Sequence, residues 1–88
     1  MTRKNVRITN KLGLHARPAA LLVKTAGKYK SEVTISKDDM EVNAKSIMGV
    51  MMLAAEKGSV LTIAADGEDE ENAVSAIAKL VEGKFDEE

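Results

Sequence analysis

Apolar and polar positions alternate at Val6-Arg7-Ile8, which predicts a half-buried strand, and Asn10 and Gly13 break it. From Ala16 to Gly27 the period lengthens. Ala19, Leu22, Val23 and Ala26 recur at i, i+3, i+4 and i+7, the core stripe of a helix, and Gly27 falls where a helix end favours a left-handed residue. Val33 and Ile35 alternate again, Lys37-Asp38-Asp39 makes a turn, and Met40 and Val42 return as the second arm of a hairpin. Ser46 is a favoured cap for a short helix through about Leu53, ending near Gly58, with Val50, Leu53 and Ala54 facing the core. Leu61, Ile63 and Ala65 give a further strand, stopped by Asp66-Gly67. Residues 68–71 load negative charge into the opening turn of a last helix, whose apolar face is Ala73, Val74, Ile77, Leu80 and Val81. The order is β-α-β-β-α-β-α. It predicts an α+β open-faced sandwich, with helices on one face of a mostly antiparallel sheet.

Composition narrows the chemistry. Eighty-eight residues make one domain, 1–88, and a chain of this size buries roughly 60–65% of its unfolded surface. The absence of cysteine excludes disulfides, thiol catalysis and the usual structural zinc, and a lone histidine excludes a histidine-cluster metal site, so no metal or cofactor is expected. A reducing cytoplasm fits. The net charge is −1 and the pI about 5.9, a poor footprint for nucleic-acid binding, and Tyr29 and Phe85 are the only aromatics, too few for base stacking. The balance hides an asymmetry: residues 1–45 carry ten basic and four acidic side chains, residues 46–88 three and ten. An anionic ligand or acidic partner is therefore expected at a site built from the first half. No apolar run reaches the ~20 residues of a membrane span, and the first eleven residues lack an apolar signal core, so no membrane insertion is expected.

The only histidine and the only proline lie three residues apart, in Gly13-Leu14-His15-Ala16-Arg17-Pro18-Ala19-Ala20. Proline is tolerated only in the first turn of a helix, so Pro18 fixes the helix start and puts His15 at its edge, with His15 or Arg17 as the cap. Free N–H groups there, Ala16 among them, favour an anion, and the same field opposes a cationic ring. A neutral imidazole is the nucleophilic form, and Arg17 adds a forked donor for phosphate oxygens. Nucleophile and anion cradle coincide within five residues, and the ligand this suits is a phosphoryl group carried covalently on His15. A lone histidine is more often structural or simply exposed, and the local chemistry alone leaves both readings open.

The stretch Gly13-Leu14-His15-Ala16-Arg17-Pro18-Ala19 and, about thirty residues on, Lys45-Ser46-Ile47-Met48-Gly49-Val50-Met51 together closely resemble the HPr family. These are the histidine-containing phosphocarrier proteins of the bacterial phosphoenolpyruvate-dependent sugar phosphotransferase system. The resemblance spans essentially the whole chain. It implies a four-stranded sheet in the order 1-4-2-3 under three helices. It implies that His15 accepts a phosphoryl group, through Nδ1, from enzyme I and passes it to IIA domains of sugar permeases. The chain would then be a carrier without turnover of its own, and phosphoryl transfer asks mainly for positioning and charge stabilisation. A regulatory homologue in the family lacks the active histidine, so His15 speaks against that type; a nitrogen-branch carrier keeps it and stays open.

A second stripe on the first helix, Arg17, Ala20, Leu21 and Lys24, has nothing obvious to bury it, and Ile47, Met48 and Met51 share a face of the second. Core membership is the plain reading of such methionines. A docking surface is the other, since flexible thioethers suit several partners, and the family resemblance implies that these positions meet enzyme I and IIA domains. Lys24 and Lys28 would rim that surface for acidic partners. Ser46 is accounted for as a helix cap, yet its segment also resembles the one phosphorylated by HPr kinase/phosphorylase. That implies a phosphoserine switch that weakens docking to enzyme I and, in hosts with the regulator, recruits a catabolite-control repressor. A purely regulatory binding module acting through Ser46 is the competing class. Nothing calls for an oligomer, and a monomer is expected.

Overall fold

The predicted alternation is realised as a sheet. The computed structural model describes residues 1–86 as β1 (Thr2–Arg7), α1 (Ala16–Ala26), β2 (Glu32–Lys37), β3 (Met40–Asn43), α2 (Ile47–Met52), β4 (Val60–Asp66) and α3 (Glu70–Glu82), followed by a turn over Lys84–Asp86. The strands are ordered β1-β4-β2-β3 and every pair is antiparallel. Register puts Val6 opposite Leu61, Ile63 opposite Ile35, and Ile35 opposite Val42. The period of two then turns Val6, Val33, Ile35, Leu61, Ile63 and Ala65 to the helices. The opposite face is polar: Asn5 and Ser36 flank Thr62, whose hydroxyl donates to Asn5 Oδ1 at 2.8 Å.

The helices bury the stripes expected of them. Ala19, Leu22 and Ala26 of α1, Val50 of α2, and Ala73, Ile77, Ala78 and Val81 of α3 join one core cluster with the sheet. Each large aliphatic in it contributes about 1.5–3 kcal/mol. Val23 and Leu80 are half-buried and pack on the cluster's margin.

Four details depart from the expectations. Gly27 is right-handed (φ −65°), because the chain winds on in tighter turns, with Lys28 N–H donating to Thr25 O and Tyr29 N–H to Ala26 O, both at 3.2 Å. The second helix ends at Met52. Ala54 is exposed and left-handed (φ 49°) and does not reach the core. Last, Phe85 is buried inside a turn whose three residues, Lys84, Phe85 and Asp86, all have φ near +60°.

Acidic groups tie the start of α3 to the rest of the fold. Asp69 accepts from the N–H groups of Lys30 and Ser31, each at 2.9 Å, and from Ser31 Oγ at 2.5 Å. The Ser31 hydroxyl first, then the Lys30 amide, hold its carboxyl down at about 2. Glu70 accepts from Thr2 Oγ1 at 2.6 Å and from Gly67 N–H at 3.1 Å, with the N-terminal ammonium also 3.1 Å away. The Thr2 bond is the main cause of its drop to about 2.

Candidate functional site

The loop between β1 and α1 is held by its neighbour in space. Ile8 N–H donates to Ser59 O, Gly58 N–H to Ile8 O, and Leu14 N–H to Ala55 O, each at 2.8 Å. Asn10, wholly buried, donates from Nδ2 to Gly13 O at 2.7 Å. Gly13 sits at φ +69°, and a Cβ there would stand 2.5 Å from Ala55 O and 2.9 Å from Glu56 Cα. Only glycine fits, for both the angle and the space.

That anchored loop delivers His15 as the N-cap of α1, with extended backbone (φ −83°, ψ −168°) and a part-exposed side chain. Its carbonyl accepts the first helical bond, from Ala19 N–H at 2.9 Å. Arg17 lies inside the helix, so the cap is His15. Pro18, third in the helix and buried, has no N–H to leave unpaired. The donors left without a partner within the helix at this end are Ala16 N–H and Arg17 N–H. The first turn holds no acidic residue, in contrast to α3 with Glu70 and Glu71, so nothing within it offsets the positive end of the dipole. The Arg17 side chain is exposed on the same turn. A part-exposed imidazole and an exposed arginine share the opening turn of α1 with two amides that have no partner within the helix, an arrangement chemically suited to an oxyanion.

Ser46 caps α2, its Oγ accepting from Gly49 N–H at 3.2 Å. The turn before it is set by Asn43, whose Oδ1 accepts from Lys45 N–H at 2.8 Å and whose carbonyl accepts from Ser46 N–H at 3.1 Å. Lys45 Nζ reaches across to Tyr29 O at 2.8 Å.

The structure puts the two unburied stripes on helices that pack against each other. Arg17, Ala20 and Lys24 are exposed and Leu21 is half-buried on α1; Ile47, Met48 and Met51 are exposed on α2. The plain reading of the methionines as core residues does not hold. Met52, to which the sequence pattern gave no role, is exposed on α2 as well. Asn10 and Gly13 were legible only as strand breakers; Asn10 holds Gly13 through a local bond, whereas the need for glycine at 13 comes from Ala55 and Glu56, more than forty residues on, and no local pattern carries that. Among the described residues no group of three His, Asp or Glu side chains is placed to hold a metal. No helix there is long and apolar enough to cross a membrane.

The family model described as the PTS HPr component phosphorylation site matches residues 2–83. The chain belongs to the HPr family. Its members are phosphoryl carriers of the phosphotransferase system rather than catalysts, with sugar transport as the general role. The phosphocarrier protein HPr of Xylella fastidiosa is 51% identical over 88 residues, covering 100% of this chain and 99% of that protein. The HPr-like protein Crh of Halalkalibacterium halodurans is 48% identical over 82 residues, 93% and 98% of the two chains. The crystal structure of HPr-C-His from Thermoanaerobacter tengcongensis superposes with a TM-score of 0.96 at 51% identity, covering 100% of this chain and 99% of that one.

Proposed function

We propose that His15 is the residue that carries the phosphoryl group, taking it from phospho-enzyme I and passing it to IIA domains of sugar permeases in the cytoplasm. The observation that carries this reading is the placement of a part-exposed imidazole as N-cap of α1, with Arg17 exposed in the same turn. A lone-pair nitrogen of the ring forms the N–P bond as the donor's bond to phosphorus breaks; the ring proton stays on the other nitrogen. The family resemblance makes the attacking atom Nδ1. Ala16 and Arg17 N–H and the Arg17 guanidinium receive the phosphoryl oxygens and spread their charge. Ala20, Leu21, Lys24, Ile47, Met48 and Met51 form the docking surface.

Intact mass after incubation with phosphoenolpyruvate and enzyme I tests this. The parent gains one acid-labile phosphate and His15→Ala gains none. Labelling of the variant at an acid-labile site would remove His15 as acceptor.

Ser46 is proposed as a regulatory phosphorylation site, the substrate of an HPr kinase/phosphorylase and, when modified, a determinant for a catabolite-control repressor. Its half-exposed hydroxyl at the start of α2, beside Ile47 and Met48, and the chain's likeness to Crh support this. A dianion there would have to be desolvated when a partner docks on α2, so Ser46→Asp should slow transfer from enzyme I while Ser46→Ala should not. Equal rates for all three chains would leave Ser46 as a cap alone.

A further inference from the structure

All five methionines of the chain are exposed, from Met40 at 43% to Met48 at 74%. The core is filled instead by Leu, Ile, Val, Ala and Phe85. No cysteine is present to intercept an oxidant. Three of the five, Met48, Met51 and Met52, stand on one short helix at spacings of three and four residues, beside Ile47, on the element that Ser46 caps.

From this arrangement we infer that α2 is an oxidation-sensitive modification site, at which a peroxide converts Met48, Met51 and Met52 to sulfoxides and reversibly weakens docking of the carrier. The inference rests on the docking reading above. In the step, a thioether sulfur takes the electrophilic oxygen of hydrogen peroxide: an S–O bond forms, the O–O bond breaks, sulfur loses two electrons and water leaves. A dithiol-dependent reductase reverses it, the oxygen departing as water and the dithiol becoming a disulfide.

Two physical consequences follow. The fold survives, because no methionine fills the core and α2 is held by Val50, the adjoining Leu53 and the Ser46–Gly49 cap. Docking does not, because each soft apolar thioether becomes a strong dipole that must shed water when a partner covers it. Met1 and Met40 are not on α2 and are not among the residues read as the docking surface, so their oxidation should be silent in the transfer reaction.

The test treats the full chain with hydrogen peroxide and maps the added oxygens by peptide mass. It then measures the apparent KM of enzyme I for the carrier, and the melting temperature. The oxidised chain should show KM raised about ten-fold, a melt close to that of the untreated chain, and recovery after methionine sulfoxide reductases with a dithiol. A Met48→Leu/Met51→Leu/Met52→Leu chain, with its own untreated KM as reference, should not respond to peroxide. Unchanged KM in the oxidised parent overturns the inference. So does unfolding on oxidation, or an equal loss in the triple-leucine chain. Met48→Asp separates this from the reading beneath it. If that charge raises KM while sulfoxide does not, only the oxidation proposal fails. If neither does, the docking surface falls too.

Discussion

Replacing Gly13 with alanine asks the most of the site's construction. The new side chain must hold φ at +69°, where an L-residue is disfavoured by roughly 1–2 kcal/mol. Its Cβ would start 2.5 Å from Ala55 O and 2.9 Å from Glu56 Cα, both backbone atoms that no rotamer change can move. Reaching ordinary contact near 3.4 Å takes a separation of about 0.9 Å between the two loops. That movement stretches the Leu14 N–H to Ala55 O bond beyond its 2.8 Å, between two buried residues. A buried backbone bond spoiled in this way costs a further ~1–3 kcal/mol. The sum is about 2–5 kcal/mol. Gly58→Ala is the internal control: φ is +96°, but nothing lies within 4 Å of the added carbon, so only conformational strain is charged, of order 1–3 kcal/mol. Urea unfolding of the two variants therefore isolates the steric part. The same displacement moves the helix start that carries His15, and a misplacement near 1 Å is worth up to ~10²-fold in rate. Phosphoryl transfer from phosphoenolpyruvate and enzyme I, measured well below the melt, should fall in Gly13→Ala and hold in Gly58→Ala. Equal stabilities together with equal transfer rates would refute the claim that this contact positions the site.

Arg17→Ala should slow transfer by about ten-fold while leaving the melt nearly unchanged, the worth of one charge-assisted hydrogen bond of ~1.5 kcal/mol at an exposed position; an unaltered rate removes Arg17 from the reaction. Phe85→Ala should lose about 3–5 kcal/mol in denaturant unfolding, because its ring is wholly inside the core, and a loss under about 1 kcal/mol would show that the terminal turn is not part of the cooperative unit. Asp69 and Glu70 are held at about 2 against ordinary values of 3.8 and 4.5. Depressed carboxyls stabilise the fold above their unfolded values, and that contribution is lost as pH falls from 4.5 through about 2. A chain with Asp69→Asn and Glu70→Gln should thus show a flatter loss of stability over that window, and curves parallel to the parent's would refute the assignment.

What the sequence revealed about this molecule divides by the range of the forces involved. Strand alternation, the α1 and α3 core stripes and the Ser46 cap are local, and they appear close to where expected, although β1 spans Thr2–Arg7 and leaves Ile8 outside it. The histidine is legible for the same reason: proline's missing N–H fixes a helix start within a turn and puts His15 at its edge, though whether His15 or Arg17 is the cap needed the structure. The misses share the opposite character. Gly27 offered a left-handed stop, but the following residues kept winding, so a permissive residue was not a compelled one. Ala54 fits a core stripe only if α2 continues to it; the helix stops at Met52 because the chain must turn to bring Ala55 and Glu56 against Gly13. Phe85 follows a helix whose periodic pattern had ended, and its burial requires three successive left-handed residues that no turn motif announces.

The methionines show how a local pattern and a global constraint can disagree usefully. Spacing alone made Met48 and Met51 equally good core or surface residues. Volume decides between them. Leu22, Ile35, Leu61, Ile63, Ile77, Val50 and Phe85 take the buried positions of the interior, and a close-packed core of this size has little room for two further flexible side chains. Exposure of α2's apolar residues is thus forced by what the sheet, α1 and α3 have already buried. On the reading proposed above, a surface left apolar by that exclusion, next to the helix start that carries His15, is where this carrier meets its donors and acceptors.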